Sequence, residues 1–372
     1  MRTLCHLAVG TALAFGLNAG AQAAEPPVDV VASGLAHPWA VAFIDQGRFL
    51  VTERPGRMRV IGPDGRVGPP LAGVPPVDAV GQGGLLDVVT DSDFAHNRTV
   101  HFCFAERGTG GNSTAMASAR LSVDATRLEN VKVIFRQKPK VASRAHFGCR
   151  IAEAADHTLF LTLGERFSRK DDAQTLDNHH GKVVRVRKDG RVPPDNPFAG
   201  RTGALPEIWS LGHRNLQGAT IGPDGQLWTV EHGPQGGDEV NRPEAGKNYG
   251  WPVITFGENY GGGAIGEGIT AKAGMEQPLQ YWVPSIAPSG MAFVTSDRYG
   301  KDWKGRLLVG SLKFGFVARL SFQGTRMIRE DRVPIGLPER VRDVRQGPDG
   351  FVYLLTDEDD GKLLRLHPPV SR

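Results

Sequence analysis

Residues 206–252 read PEIWSLGHRNLQGATIGPDGQLWTVEHGPQGGDEVNRPEAGKNYGWP. The turn Gly222-Pro223-Asp224-Gly225 separates two apolar-alternating runs, Gly218-Ala219-Thr220-Ile221 and Gln226-Leu227-Trp228-Thr229-Val230-Glu231, which reads as a β-hairpin. Gly212-His213-Arg214-Asn215 stands before the first run. Glu231-His232-Gly233-Pro234-Gln235-Gly236-Gly237-Asp238-Glu239 follows the second. Antiparallel pairing brings both flanks to one end of the sheet. A permanent cation, amides, free carbonyls and carboxylates then converge, a grouping suited to an anionic, oxygen-rich ligand held with a hard cation.

The same unit, an apolar run, a turn and a second apolar run, recurs along the chain. Working outward, copies begin at Arg150-Ile151-Ala152 and Gly84-Leu85-Leu86-Asp87, and at Trp39-Ala40-Val41-Ala42-Phe43. Towards the C-terminus they begin at Gly290-Met291-Ala292-Phe293 and Arg342-Asp343-Val344. Six copies at intervals of about 45–80 residues predict propeller blades. Runs such as Met58-Arg59-Val60-Ile61, Lys182-Val183-Val184-Arg185-Val186 and Phe316-Val317-Ala318-Arg319-Leu320 read as outer strands. A lone amphipathic blade cannot bury both faces; a closed ring buries them and leaves only short edges. The fold class is therefore all-β, a six-bladed β-propeller. A two-sheet sandwich with long insertions accounts less well for six similar units in series.

Scattered rather than clustered Gly 48 and Pro 26 in 372 residues agree with many tight turns between short strands. The formal net charge of +4 is dispersed, with no basic run dense enough for nucleic acid. Arg2, the apolar stretch 7–17 and Ala21-Gln22-Ala23 form a signal-peptide pattern over residues 1–23. This leaves residues 24–372 as a single propeller domain exported to a periplasm, without membrane insertion. Cys103 and Cys149 then remain. A disulfide and two small buried side chains are both compatible with them, and their spacing fits no zinc motif.

In a propeller the residues flanking the inner hairpins face the channel mouth, and polar residues recur there. Gly81-Gln82-Gly83-Gly84-Leu85-Leu86, His146-Phe147-Gly148-Cys149-Arg150, Gly212-His213-Arg214-Asn215-Leu216-Gln217-Gly218, Glu231-His232-Gly233-Pro234, Gly246-Lys247-Asn248-Tyr249-Gly250-Trp251-Pro252 and Arg340-Val341-Arg342-Asp343-Val344 occur in that order. In this they resemble the PQQ-dependent soluble aldose sugar dehydrogenases, relatives of soluble quinoprotein glucose dehydrogenase, over essentially the whole mature chain. The resemblance implies a six-bladed propeller, non-covalent pyrroloquinoline quinone (PQQ), Ca2+ and oxidation of aldoses to lactones.

On that resemblance His146 is the general base for the 1-hydroxyl and Glu165 its acidic partner, where relatives nearest glucose dehydrogenase carry Asp. Arg214 is the arginine beside the reactive quinone carbonyl. Gln82, Asn215, Lys313, Arg340 and Arg342 are further cofactor-binding groups, the cations matching the three carboxylates of PQQ. Gly233 and Pro234 are expected to offer carbonyls to a cofactor-bound calcium. Asp238-Glu239 with Tyr249 read equally as a second, structural calcium site or as a solvated acidic turn. Asp357-Glu358-Asp359-Asp360 reads as a solvated turn. Residues 256–263 read as a mobile channel-rim loop; Tyr260 and Trp282 are available to stack on a sugar, with packing in the core as the ordinary alternative. The spans between motifs look short beside the glucose dehydrogenase branch, which favours an open site of broad aldose tolerance. The alternatives are a calcium-dependent propeller lactonase, which needs no Lys313, Arg340 and Arg342 clamp, and a non-catalytic propeller binding glycans or proteins, which needs no His146 opposite a cationic pocket. The electron acceptor, the natural sugar and the choice between monomer and dimer are not written in these motifs.

Overall fold

The computed structural model describes residues 26–369. The signal-peptide pattern lies outside them. Twenty-four strands among the described residues form six four-stranded antiparallel sheets. In chain order the first five cover residues 38–70, 85–136, 148–211, 216–282 and 288–334. The sixth joins residues 341–366 to the N-terminal strand Val28–Leu35, which pairs with Gly361–Leu366. The last blade thus takes its outer strand from the start of the chain, and this closes the ring.

The innermost strands are Pro38–Phe43, Leu85–Thr90, Gly148–Glu153, Leu216–Ile221, Pro288–Phe293 and Val341–Gln346. Each packs against the innermost strands of its two neighbours, from first to sixth and back to first. They open the six repeats read from the sequence. Each is largely buried because neighbouring blades cover both faces; most carry apolar runs, while Val341–Gln346, reading VRDVRQ, brings charged groups into the ring. All six inner hairpins also carry a register irregularity at the beginning of their first strand. Such bulges bend a strand and re-aim its side chains. Here they occur six times at the same end of the ring, where the residues of interest gather.

Apolar side chains lock adjacent blades. Trp228 meets Phe293 edge-on at 5.3 Å, and Tyr353 packs on Phe43 and Phe49 at 5.4 and 5.0 Å. The buried ones among them, Trp228, Phe293, Tyr353 and Phe49, each contribute roughly 1.5–3 kcal/mol. Cys103 and Cys149 form a disulfide across the second and third blades, with their Cα atoms 5.9 Å apart. Of the two compatible readings, the bridge is the one realised.

A charged knot ties the inner strands inside the ring. Arg150 contacts Asp343 at 2.8 Å and Asp87 at 3.3 Å, and Arg345 contacts the same two carboxylates at 3.2 and 2.6 Å. Arg150 also donates to the carbonyls of Gln217 (2.7 Å) and Arg342 (3.0 Å), while Val41 N–H donates to Asp343 and Ile151 N–H to Asp87. Two cations and two anions balance, so the knot is structural.

Candidate active site

His146 lies in the turn entering the third blade. Its φ is +53°, and Gly148 and Cys149 follow at +65° and +79°. Two non-glycine residues in the left-handed region within four positions mark a strained turn, held only where its surroundings over-determine it. They do so here. His146 N–H donates to Gln82 Oε1 (2.8 Å), Gly148 N–H to Asn215 Oδ1 (3.2 Å), and Thr114 Oγ1 to the Phe147 carbonyl (2.7 Å). The disulfide pins Cys149. A Cβ on Gly164 would stand 2.1 Å from the His146 carbonyl oxygen, so this close approach requires glycine.

The imidazole is buried, with Nδ1 2.8 Å from Glu165 Oε1. The carboxylate fixes the tautomer: Nδ1–H donates to it, and Nε2 keeps a lone pair. Burial pushes the His146 pKa below the usual 6.5. The Glu165 hydrogen bond pulls it up and the Arg214 cation pushes it down. The ring is therefore neutral near pH 7. Glu165 N–H donates to the Arg214 carbonyl (2.9 Å), joining the partner of His146 to the fourth blade.

Arg214 sits where the sequence placed it, at the shared end of the Leu216–Ile221 and Leu227–Glu231 hairpin. Its guanidinium donates to the carbonyls of His232 (3.1 Å) and Gly233 (2.6 Å) and to Tyr260 Oη (3.3 Å), and lies 5.3 Å from the Trp251 ring. Its Nε is buried and unpartnered among the described residues. His232 was quoted in the sequence motif without a role. Its Nε2–H donates to the Pro288 carbonyl (2.6 Å), and burial with the Arg214 and Arg342 charges pushes its pKa down to about 3.

Two adjoining clefts meet at His232. One, of about 200 Å³, is lined by Gln82, Asn215, Gln217, Arg54, Arg340 and Arg342; the other, of about 420 Å³, by Gly233, Pro234, Tyr260 and Lys313. The two clefts thus gather Gln82, Asn215, Arg340, Arg342 and Lys313 of the residues expected to hold the cofactor; His146 and Arg214 do not line them. Gln82 and Asn215 accept backbone N–H groups through their carbonyl oxygens, which leaves their NH2 groups for the cleft. Arg342 is buried on Asp357, and Arg340 lies 3.7 Å from the same carboxylate. Asp357 is therefore not part of a solvated turn: it is buried, and its pKa is held far down by Arg342. Arg54 was missed. It follows the inner hairpin of the first blade, the position at which the sequence rule would have found it.

The calcium readings divide. The Gly233 carbonyl has a second lone pair beyond the one Arg214 uses, and Pro234 is beside it in the cleft. The Asp238-Glu239 pair splits. Asp238 accepts from Gly233 N–H, Ser285 Oγ, Ile286 N–H and Ala287 N–H, which makes it a structural brace. Glu239 shares a small cavity with Glu231 and Tyr249, and burial together with the Glu231 charge pushes its pKa up to about 8. A cation there would relieve that strain. The Tyr249 hydroxyl is committed to the Arg242 carbonyl and Glu244 N–H, so only its carbonyl could serve as a ligand. Among the described residues no three His, Cys, Asp or Glu side chains converge on one point, so backbone oxygens would have to complete either site. Trp282 is buried with its indole N–H on Glu330 (2.9 Å), so it packs in the core and does not face a sugar. Tyr260 is 64% exposed at the rim.

The sequence model of glucose/sorbosone dehydrogenases matches residues 35–365. The chain belongs to the glucose/sorbosone dehydrogenase family. It is 44% identical over 345 residues to the aldose sugar dehydrogenase YliI of Escherichia coli (strain K12), covering 92% of each protein. A crystal structure of a glucose dehydrogenase superposes with a TM-score of 0.89 at 47% identity, over 92% of this chain and 99% of that one. The PQQ-bound aldose sugar dehydrogenase of Streptomyces coelicolor superposes with a TM-score of 0.74 at 28% identity, over 92% and 99% of the two chains. This member of the family is a propeller sugar dehydrogenase, and no helix among its described residues is long and apolar enough to cross a membrane.

Proposed function

We propose that the protein is an exported quinoprotein that oxidises aldoses at the anomeric carbon to lactones, using PQQ and calcium. The observation that carries this reading is a neutral His146, oriented by Glu165, beside a cleft with more cations than carboxylates. PQQ, when bound, supplies an ortho-quinone that accepts the anomeric hydride, and calcium at the Gly233 and Pro234 carbonyls supplies Lewis acidity. His146 Nε2 takes the proton of the 1-hydroxyl. Glu165 stabilises the resulting imidazolium. Arg214 places fixed positive charge in a water-poor position. Arg340, Arg342, Lys313 and Arg54, with the NH2 groups of Gln82 and Asn215, hold the carboxylates and carbonyls of the cofactor. Glu239 and the Tyr249 carbonyl are the ligands of a second, structural calcium. Residues 1–23 direct export to the periplasm, and an oxidising compartment suits the Cys103–Cys149 bridge.

The test is reconstitution of the mature apoprotein with PQQ, calcium, an aldose and an electron-accepting dye. Dye reduction should need all of them, and folded protein that binds no quinone would refute the reading. His146→Ala should keep quinone absorbance and lose about 10²–10⁴ in turnover. Wild-type turnover in that variant would remove His146 as the base.

A further inference from the structure

Directly after Glu165 the chain does something unfavourable. Arg166 and Phe167 both take positive φ, +66° and +67°. Ser168 N–H donates to the Arg166 carbonyl at 2.8 Å, closing a three-residue turn with Phe167 at its centre. A γ-turn with positive φ is rare and strained for a residue with a side chain. What enforces it is Arg166. Its guanidinium is fully buried, donates to the carbonyls of Ala145 (2.6 Å) and Ser143 (3.1 Å) and to Asn112 Oδ1, and stacks on Phe147 at 3.6 Å. Ser143 Oγ holds the Arg166 carbonyl from the other side (2.8 Å).

All this anchoring drives Phe167 outward. The ring is 56% exposed and stands edge-on to His146, with centroids 5.3 Å apart and planes at 70°. A ring needed only for packing would turn inward. This one is presented to solvent, on a strained turn, against an imidazole whose Nε2 has no hydrogen-bond partner among the described residues. It has no donor or acceptor of its own, so what it can recognise is apolar.

We propose that Phe167 is the platform for the C–H face of the pyranose ring, setting the sugar so that its 1-hydroxyl meets His146 Nε2. This rests on His146 being the base of an aldose dehydrogenase. A flat aromatic face suits a pyranose whose axial positions carry hydrogen. An axial hydroxyl would be pressed onto the ring without a partner. Phe167 thereby favours all-equatorial aldoses over their axial epimers.

The experiment separates binding from chemistry by using 1,5-anhydroglucitol, which has no anomeric hydroxyl and cannot be oxidised there. Its dissociation constant is measured by ligand-observed NMR on protein loaded with PQQ and calcium, for wild type, Phe167→Ala, Phe167→Leu and Phe167→Tyr. Phe167→Ala should weaken binding about 3- to 10-fold, Phe167→Tyr should restore it, and Phe167→Leu should not. With oxidisable aldoses, KM should rise by the same factor while kcat falls by less, and preference over an axial epimer should shrink. Equal affinity in wild type and Phe167→Ala, including none detectable in either, overturns the proposal. Rescue by Phe167→Leu equal to that by Phe167→Tyr also overturns it, since an apolar screen over His146 would then suffice. If wild type reduces no dye with any aldose yet binds the probe in a Phe167-dependent way, the platform stands and the dehydrogenase reading fails.

Discussion

The ring contains two groups of charged residues, and they are built on opposite rules. In the inner knot two arginines, Arg150 and Arg345, meet two aspartates, Asp87 and Asp343, and the lone pairs and protons find partners on several blades. At the clefts Asp357 is the carboxylate facing Arg340 and Arg342, while Arg54 donates only to the Gly81 carbonyl and Lys313 has no ion pair among the described residues. Balanced buried charge ties blades together. Unbalanced charge at a solvent-reached cleft is available to an anion, as the proposed function requires. The same residue types thus serve structure or binding according to whether the protein itself supplies the counter-charge.

Removing a partner from the knot should have the largest effect. Arg150→Met leaves Asp87 and Asp343 short of a cation and should cost about 3–5 kcal/mol in urea unfolding. A loss below about 1 kcal/mol would break the comparison. Replacing both cysteines by alanine opens a link between residues 46 apart in sequence and should cost about 4 kcal/mol of unfolding free energy. It should also lower turnover, because Cys149 belongs to the strained turn that carries His146. Arg340→Ala should behave in the contrary way. Stability should stay within about 0.5 kcal/mol, because the side chain is half exposed, while quinone affinity read by absorbance should fall about 10- to 100-fold. If stability fell and affinity held, Arg340 would belong with the knot.

The smallest effect is in pH. Burial lowers the His146 pKa, so the proposed base stays neutral below the usual 6.5, and the acid limb of kcat/KM should fall below that value. The buried His179 and His180 are lowered for the same reason. Their protonation is favoured in the unfolded chain, so stability should be full above about pH 6.5 and decline as pH drops through it. A stability maximum on the acid side of that value would contradict the burial argument.

The inner hairpins were legible in the sequence because an apolar run, a turn and a second apolar run recur six times, and the covered second strands such as Phe49–Glu53, Thr158–Leu163 and Leu307–Ser311 are apolar along most of their length. The outer strands Val67–Pro70 and Gln280–Trp282 left no comparable signal, being short and partly exposed. Asp357 was misplaced and Trp282 left open between a sugar and the core for one reason: an aromatic ring or a carboxylate next to a turn carries no mark of which side it will face. Asp238 and Glu239 are adjacent yet point to opposite sides of their strand, so one braces a loop and the other enters a cavity.

Six similar hairpins in series, each unable to bury its own faces, were enough to determine a closed ring and to put His146, Arg214 and Arg340 at one mouth of it. Those conclusions need only periodicity and the antiparallel rule. The sequence by itself could not decide whether Cys103 meets Cys149, which arginines find a carboxylate, or that Phe167 is turned outward beside His146. Each of these depends on positions contributed by different blades or on a local backbone conformation that distant contacts enforce, and only the packed ring sets them.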